Sequence, residues 1–405
     1  MKITRLSDLA DAALCRRLVV KVGSSLLVGK HGVRRAWLEG LVAEIAAARA
    51  RGQEVIVVSS GAIALGAAKL GLDKGGRGSL ADAQAAAAVG QIALSGLWAE
   101  LLGAHGVTAA QLLLTLEDLE DRRRYLNATA TLTRLLDAGA VPVINENDSV
   151  ATQEIRFGDN DRLAARVAQA AQANAVLLLS DVDGLFDRNP AEAGAQLLPE
   201  VRGVTAEVHA MATGGSSSGM GSGGMTSKLQ AAEIAERAGI ALAIASGLHD
   251  APIARATSDA IGTLFLPRRK DAGRKAWLGG RLRLKGALVI DAGAARALGK
   301  GSSLLAAGVI RVEGEFQRGD AVAIRSDAGA TLAHGLAEYD ALECARLMGH
   351  NSAEHAALLG YAPRSAVVHR DQMVVLLLLP LPARPGSSVR LCWIVPRSPV
   401  SKSAR

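Results

Sequence analysis

The chain is poor in cysteine, in aromatic residues and in long apolar runs. Its three cysteines, Cys15, Cys344 and Cys392, lie far apart in 405 residues and form no CxxC pair. A disulfide framework or a structural zinc site is therefore not expected, which fits a reducing cytosol. The longest apolar run, 373–381, contains Pro380 and is too short to cross a bilayer. The charged N-terminus lacks the apolar core of a signal peptide, so we expect a cytoplasmic protein without a membrane segment.

Aromatic residues make up 3% of the chain, so alanine, leucine and valine must supply most of the packing. The composition, 49% apolar and 21% charged, is that of a globular protein and excludes global disorder. The formal charge is +7, but five basic residues and no acidic ones follow Gln372, which leaves +2 on the first 371 residues. These five are Arg384, Arg390, Arg397, Lys402 and Arg405. The basicity thus belongs mostly to the C-terminal tail and does not indicate a nucleic-acid-binding protein.

Several common catalytic motifs are also missing. No Ser/His/Asp triad, Cys/His pair or H-E-x-x-H is discernible, and the eight histidines are scattered. The P-loop pattern G-x-x-x-x-G-K-[ST] is absent. Gly219, Gly221 and Gly224 fit G-x-G-x-x-G, but no predicted strand precedes them, so a Rossmann dinucleotide site is not supported.

Short β-branched runs alternate with alanine-rich stretches between residues 18 and 265. Strands are predicted at 18–22, 55–58, 141–144, 175–179 and 240–245, and helices at 34–51, 82–102 and 227–238. This alternation predicts an α/β fold with an open, mainly parallel sheet sandwiched by helices. In such sheets ligands bind where strands end. Beyond a basic stretch at 267–275, strands at 287–290, 309–312 and 321–324 with a helix at 292–298 predict a small β-rich domain.

Two strand ends carry residues suited to binding anions. Lys21 lies near the end of a buried strand, where an ammonium group is costly unless it emerges at a site. Gly23, Ser24 and Ser25 follow in a turn that offers backbone N–H groups to phosphate oxygens. Ser60 lies in a similar turn after the next strand and could bind a carboxylate or a phosphate. The alternatives are a lysine that reaches solvent at a sheet edge and a plain helix N-cap.

A dense group of acidic and amide side chains follows the strand at 141–144. It comprises Asn145, Glu146, Asn147, Asp148, Asp159, Asn160 and Asp161. Such a group suits an ammonium ion, a metal ion or the orientation of lysines, whereas the spacing excludes an EF-hand. A solvated polar loop is the alternative.

Two further segments complete the pattern of a phosphoryl-transfer site. Ser180 and Asp181 end a strand, before a turn that is either a nucleotide-contacting loop or an ordinary turn. The Gly/Ser-rich run from residue 213 ends at a helix start that carries Lys228, where the helix dipole and free N–H groups favour phosphate. A flexible linker is the alternative.

These motifs, in this order, resemble the bacterial glutamate 5-kinases of the amino acid kinase superfamily. The segments are LVVKVGSS, VIVVSSGAIALG, VPVINENDSVAT, FGDNDRLAA, LLLSDVDGLF and GSGGMTSKLQAAEIAERAGI. The C-terminal part, including GSSLLAAGVIRVEGEFQRGDAVAI and VVHRDQMV, is similar to the PUA domain of that family. The implied organisation is an amino acid kinase domain at 15–266, a linker at 267–280, a PUA-like domain at 281–375 and an unmatched, disordered tail at 376–405.

The resemblance implies ATP-dependent phosphorylation of the γ-carboxylate of L-glutamate, the first step of proline biosynthesis, with Mg²⁺ accompanying ATP and proline as feedback inhibitor. It also implies a homo-oligomer. Lys21, Lys228 and Asp161 become the implied catalytic residues, with Asp161 orienting the two lysines. The implied glutamate-binding residues are Ser60, Asp148 and Asn160. The implied ATP-binding residues are Lys21, Ser180, Asp181, Ser222, Gly223, Gly224, Met225, Thr226, Ser227 and Lys228.

Two other functions remain open from the sequence. Kinases that act on acetylglutamate, aspartate or carbamate share the lysine-and-glycine chemistry, and the NEND segment with the PUA-like domain distinguishes this chain from them. PUA domains also occur in RNA-binding proteins. Residues 281–371 carry a net charge of only +1, which gives little attraction for phosphate, so nucleic acid is not expected as a partner.

Overall fold

The computed structural model divides the chain into two compact units, Met1–Leu282 and Arg283–Arg405. The described residues are 3–29, 32–150, 159–212, 224–267, 284–361, 364 and 366–376. The predicted linker and the predicted disordered tail lie outside them, apart from Pro267 and Leu376. Each unit is described by itself.

The first unit alternates strands and helices. Its strands are β1 (Arg17–Val22), β2 (Val28–Gly29), β3 (Gly32–Val33), β4 (Glu54–Ser59), β5 (Ala109–Leu114), β6 (Val141–Glu146), β7 (Ala175–Ser180), β8 (Glu200–Arg202), β9 (Ala241–Ser246) and β10 (Thr263–Leu266). Its helices are α1 (Ser24–Leu27), α2 (Arg35–Ala50), α3 (Ala62–Leu70), α4 (Leu80–Gly103), α5 (Leu116–Glu120), α6 (Arg122–Asp137), α7 (Asp159–Ala170), α8 (Ala206–Met211), α9 (Met225–Ala238) and α10 (Pro252–Thr257).

Eight of the described strands form one sheet in the order β5-β6-β4-β1-β7-β9-β10-β8. The six from β5 to β9 in this order are parallel. Strand β10 runs antiparallel to β9, and β8 is parallel to β10. The sheet is therefore mainly parallel, and the predicted fold class is confirmed.

Both faces of this sheet are covered, because alternate residues of the central strands enter two different cores. Leu18 and Val20 of β1 pack in one core with residues of α2 and α4, whereas Val19 packs in the other with residues of α7 and α9. Strands buried on both faces are expected to be continuously apolar, as the central strands are here. A polar side chain in such a strand, such as Lys21, needs a specific partner.

The predicted strands and helices of this unit are confirmed, with boundaries that differ by a few residues. Strands β5, β8 and β10 and helix α6 escaped prediction. Strand β5, with the sequence AAQLLL, has no β-branched residue, so only its pairing with β6 makes it a strand. Strand β8 has three residues, too few for an alternating pattern.

Helices α3 and α4 approach each other more closely than side chains allow. A Cβ atom on Gly66 would lie 1.8 Å from the carbonyl oxygen of Ala86, and one on Gly90 would lie 1.8 Å from that of Ala62. Glycine is thus required at both positions. Among the described helices, α4 alone is long and apolar enough to cross a membrane by length and composition. Its Leu94 and Trp98 are buried in the core that also contains β1.

The second unit is a small β-rich domain, as predicted. Its strands are β11 (Gly286–Ile290), β12 (Val309–Gly314), β13 (Ala321–Ser326), β14 (Thr331–Leu336) and β15 (Met373–Val375), and its helices are α11 (Ala292–Gly299), α12 (Ala341–Leu347) and α13 (His355–Leu359). The described strands form a sheet in the order β12-β11-β13-β14-β15, in which only the β11–β13 pair is parallel. The first three residues of the apolar run 373–381 form its edge strand.

Candidate active site

Four adjacent strands of the large sheet end at one edge with polar side chains. In the order β6, β4, β1 and β7, these strands lead to Glu146, Ser60, Lys21 and Ser180. All four strands are parallel, so their carboxyl ends lie together. This is the position at which open α/β sheets bind ligands.

Alternation along β1 determines the direction of Lys21. Side chains two residues apart in a strand point to the same face. Lys21 therefore shares the face of Val19, which packs against the core containing α7 and α9. The lysine thus points toward the two helices that carry Asp161 and Lys228.

Helical spacing brings the other two charged groups to the same place. Asp161 lies four residues before Ala165 in α7, and Lys228 lies four residues before Ala232 in α9. Both alanines are buried in the core between the sheet and these helices. Residues four apart share one helix face, so Asp161 and Lys228 extend that buried face past its apolar end.

The three groups form a buried ion cluster. Lys21 Nζ lies 2.6 Å from Asp161 Oδ1, and Lys228 Nζ lies 3.1 Å from Asp161 Oδ2. The relative exposure of Asp161 is 0%, and that of the two lysines is 8% and 7%. One carboxylate therefore holds two ammonium groups, one on each oxygen.

The electrostatics keep Asp161 ionised. Burial alone would raise its pKa, but Lys21 and Lys228 outweigh burial and lower the pKa of Asp161 to about 2. Burial lowers the pKa of Lys21, while Asp161 acts in the opposite direction. With two lysines on one carboxylate, the cluster attracts a further anion.

The beginning of α9 adds groups next to this cluster. Ser227 Oγ lies 3.1 Å from Asp161 Oδ2 and 3.1 Å from the carbonyl oxygen of Gly224. Ser227 was expected to contact ATP, and its hydroxyl here contacts Asp161. Met225 and Thr226 stand in the first turn of α9, where helix N–H groups lack helical partners. Ser222 and Gly223 lie outside the described residues.

Ser180 and Asp181 lie at the end of β7, the strand that pairs with β1. Ser180 is buried at the end of β7, and its hydroxyl donates to Asp181 Oδ1 at 3.0 Å. Asp181 is also close enough to Lys21 to oppose the lowering of its pKa by burial. The two residues therefore lie beside the ion cluster.

A chain of amide groups runs from this cluster along the sheet edge. Asn160 Nδ2 donates to Ser60 Oγ at 2.8 Å and to Asn145 Oδ1 at 3.3 Å. Asn145 Nδ2 donates to Gln91 Oε1 of α4 at 2.8 Å. The side-chain oxygen of Asn160, Oδ1, is buried without a hydrogen-bond partner. A buried acceptor without a donor costs about 1–3 kcal/mol, so this oxygen is suited to a ligand that brings a donor.

A cavity of about 340 Å³ adjoins the amide chain. It is lined by Ala62, Ala87, Ala88, Gln91, Ile92, Gln111, Leu113, Glu146, Asn147, Asp148 and Ser149. Burial raises the pKa of Glu146 to about 7, with Asp148 adding to the increase, and burial raises the pKa of Asp148 to about 6. Two buried carboxyl groups with raised pKa values favour a cationic ligand, which would lower both pKa values again.

The structure thus brings the predicted residues together in two groups. The first contains Lys21, Asp161, Lys228, Ser180 and Asp181. The second contains Ser60 and Asn160, which are hydrogen-bonded, and Asp148 lines the adjoining cavity. Gln91 escaped prediction, because an alanine-rich helix 54 residues from Asn145 carries no signal of a polar contact. Asn145 and Glu146 were predicted only as members of a polar segment. They reach the site because they are the last two residues of β6.

The donor set also bears on metal binding. In the described part of the chain, no group of three or more His, Cys, Asp or Glu side chains could hold a metal ion. Both oxygens of Asp161 are occupied by lysines, and Asp181 is the carboxylate beside them. Such a site suits a Mg²⁺ ion held mainly by phosphate oxygens and water, with one or two protein carboxylates.

Comparison with known families agrees with the fold. The model of the amino acid kinase family matches residues 16–246, and the model of the PUA domain matches residues 286–359. The first match covers more than half of the chain and includes every residue of the two groups. The chain therefore belongs to the amino acid kinase family.

Relatives narrow this assignment. A glutamate 5-kinase from Novosphingobium aromaticivorans is 73% identical over 93% of this chain and 100% of its own length. One from Sphingopyxis alaskensis is 61% identical over 91% of this chain and 100% of its own length. Within the family, the chain belongs to the glutamate 5-kinases. Among solved structures, the carbamate kinase from Giardia lamblia bound to AMP-PNP has a TM-score of 0.47 and 17% identity, over 62% of this chain and 98% of that one.

Proposed function

We propose that this protein transfers the γ-phosphoryl group of ATP to the γ-carboxylate of L-glutamate, giving L-glutamate 5-phosphate and ADP. The observation that carries the proposal is the buried pair of lysines on Asp161 beside a cavity lined by Glu146 and Asp148. The first feature suits phosphate, and the second suits the ammonium group of an amino acid. This reaction is the first step of proline biosynthesis.

The chemistry requires positioning and charge neutralisation rather than a base. The attacking carboxylate is already ionised at neutral pH, so no proton has to be removed from it. The reaction brings two anions together, and the negative charge on the transferring group must be balanced. Lys21 and Lys228 reach Asp161 from β1 and from α9, and we infer that they contact the transferring group from two sides.

Asp161 is the positioning residue of this pair. Its two oxygens hold one lysine each, which keeps two like charges apart and fixes both in a buried space. Groups fixed before the reaction need not reorganise during it, which is the main advantage of such a site over water. Ser227 supports the same carboxylate.

The nucleotide would lie along β1, β7 and the start of α9. Ser180, Asp181 and the segment Ser222–Lys228 are the proposed contacts, and the first turn of α9 offers N–H groups to phosphate oxygens. Mg²⁺ bound to the nucleotide would neutralise phosphate charge, and Asp181 is the carboxylate proposed to assist in holding it.

Glutamate would be held at its amino-acid end by Ser60, Asp148 and Asn160. Its ammonium group is its only strong hydrogen-bond donor, so the partnerless acceptor Asn160 Oδ1 is the group suited to it. Asp148 adds a carboxylate whose pKa is raised by burial against the effect of Arg77, so a bound cation would stabilise its ionised form. Ser60 can donate its hydroxyl to the α-carboxylate.

This recognition favours a free amino acid over acetylglutamate and carbamate. Acetylglutamate carries an uncharged amide in place of the ammonium, and carbamate has no ammonium group. Residues 281–371 carry a net charge of only +1, so RNA binding is not expected. A homo-oligomer, inhibition by proline, cytoplasmic location and the domain limits 15–266 and 281–375 remain proposals from the resemblance.

The test is ADP release with glutamate, acetylglutamate, aspartate and carbamate as acceptors, each with and without proline. We expect turnover that depends on glutamate and decreases with proline. Turnover with another acceptor and none with glutamate would overturn the proposal.

A further inference from the structure

The amide chain continues beyond the proposed glutamate contacts into α4. Gln91 Nε2 donates to Ser95 Oγ at 3.2 Å, one helical turn further along. Ser95 Oγ in turn lies 2.7 Å from the carbonyl oxygen of Gln91 and 2.6 Å from Gln111 Oε1. Both of these partners are oxygens, so the single hydroxyl proton of Ser95 is donated to one of them.

The use of the Ser95 proton sets the direction of every bond in the chain. Whichever of the two oxygens receives this proton, a lone pair of Ser95 Oγ is left to accept from Gln91 Nε2. The amide oxygen of Gln91 then faces Asn145 and accepts from its Nδ2. The amide oxygen of Asn145 consequently faces Asn160 and accepts from its Nδ2.

This sequence of bonds decides which atom Asn160 presents to a ligand. Because Nδ2 of Asn160 donates to Asn145 and Ser60, Oδ1 faces the opposite way, where it is buried without a partner. With the amide of Asn160 reversed, an N–H group would stand there instead and would repel an ammonium ion.

We propose that Gln91, oriented by Ser95, is a positioning residue that fixes the amides of Asn145 and Asn160 so that Asn160 Oδ1 accepts the ammonium group of the substrate. The inference rests on the proposed glutamate kinase function. Gln91 acts through Asn145 and Asn160, because its side-chain oxygen Oε1 already accepts a hydrogen bond from Asn145.

The place of Gln91 in the fold supports a fixed orientation. It follows Gly90 in α4, and Gly90 packs against the backbone of α3, where a Cβ atom would lie 1.8 Å from the carbonyl oxygen of Ala62. Helix α3 begins two residues after Ser60. The helix contact therefore ties the position of Gln91 to the turn that holds Ser60, the other acceptor of Asn160.

The experiment compares Gln91→Leu, which keeps the size and removes the amide, with Gln91→Glu, which keeps an acceptor for Asn145. Each full-length variant is assayed with glutamate and with glutarate, which lacks the ammonium group. We expect Gln91→Leu to raise the KM for glutamate about 10- to 100-fold, with the KM for ATP and the melting temperature little changed. The preference for glutamate over glutarate should fall by a similar factor, and Gln91→Glu should recover most of it.

Ser95→Ala provides a second, smaller change that keeps the inference testable if Gln91→Leu does not fold. It should lower the same preference by a smaller factor, and the double variant should be no worse than Gln91→Leu alone, because both act through one chain. An unchanged preference in Gln91→Leu, or equal losses for glutamate and glutarate, would overturn the inference. Absence of glutamate turnover in the unaltered protein would overturn the proposed function instead.

Discussion

The ion cluster of Lys21, Asp161 and Lys228 and the carboxylate cavity of Glu146 and Asp148 lie at the same sheet edge but have opposite electrostatic states. In the cluster each oxygen of Asp161 is paired with a lysine, and the pKa of Asp161 is lowered to about 2. In the cavity burial outweighs the nearby arginines, and the pKa values of Glu146 and Asp148 are raised to about 7 and about 6. The difference indicates that the cluster is organised before any ligand binds, whereas the cavity is completed by a cation.

The largest expected effect comes from removing a charge of the cluster. Lys228→Ala should lower kcat about 10²- to 10⁴-fold, because a positive charge next to the transferring group is lost. ADP release at saturating glutamate and ATP measures this. Lys69→Ala, an exposed lysine at the end of α3, is the matched control and should leave kcat unchanged. A kcat near that of the unaltered protein would remove Lys228 from the proposed catalytic group.

Removing the carboxylate of the cluster should affect stability as well. Asp161→Asn removes the carboxylate that pairs both buried ammonium groups and should lower the free energy of unfolding by about 3–5 kcal/mol. Urea unfolding measures the change. The double variant Asp161→Asn with Lys228→Met should regain part of the loss, since one of the two buried ammonium groups is then absent. Equal stability of Asp161→Asn and the unaltered protein would contradict the description of Asp161 as the shared partner of the two lysines.

A change in the cavity should act on substrate binding instead of turnover. Asp148→Asn should raise the KM for glutamate about 10- to 100-fold through loss of a charged partner for the ammonium group. The kcat at saturating glutamate and the KM for ATP should stay near their ordinary values. Steady-state kinetics with each substrate varied separates these quantities. A lowered kcat with an unchanged KM for glutamate would contradict the separate roles of the cavity and the ion cluster.

The smallest expected effect is a pH dependence of the KM for glutamate, which depends on the cavity, without a matching change in kcat, which depends on the ion cluster. Because the carboxyl pKa values of Glu146 and Asp148 are raised, both groups gain protons as the pH falls through about 7 and about 6, so the cavity loses its negative charge. Arg162 beside Glu146 and Arg77 beside Asp148 act against this rise in pKa. The KM for glutamate should increase about threefold to tenfold between pH 8 and pH 5.5. The kcat should change little over this range, because Asp161 stays ionised.

The contributions of the two regions to the free energy of unfolding should depend on pH with opposite signs. The lowered pKa of Asp161 contributes stability at pH values above its unfolded value, and this contribution is lost only as the pH falls toward about 2. The raised carboxyl pKa values of the cavity mean that the folded protein binds protons more tightly there. Their contribution therefore decreases as the pH rises from about 4 to about 7. Melting temperatures with and without glutamate test this, since a bound ammonium group should remove the second dependence.

Local sequence pattern was sufficient for the parts of this site that follow strand ends. Two features stand out from the sequence alone because they interrupt apolar segments. These anomalies are Lys21 within an apolar strand and the polar segment that follows β6. The same applies to Lys228, which starts a helix after a Gly/Ser-rich run. Strand order then decides which anomalies meet, and the parallel arrangement predicted from the alternation of elements places them at one edge.

Other parts could not be predicted because they depend on contacts between distant segments. Gln91 meets Asn145 across 54 residues of sequence, and the position of α4 depends in part on its close contact with α3 at Gly66 and Gly90. The reversed direction of β10 and β8 depends on pairing at the sheet edge, which β9 alone does not specify. The contact between Ser227 and Asp161 is likewise a product of how α7 and α9 pack.

The most direct test of the difference between the two regions is the dissociation constant of glutamate for Lys228→Ala, measured by titration calorimetry beside the unaltered protein and Asp148→Asn. We expect Lys228→Ala to bind glutamate within about fivefold of the unaltered protein although its turnover is lost, and Asp148→Asn to bind at least tenfold more weakly. Equal weakening of glutamate binding in the two variants would contradict the division of this site into a phosphoryl-transfer centre held by Asp161 and an ammonium-binding cavity.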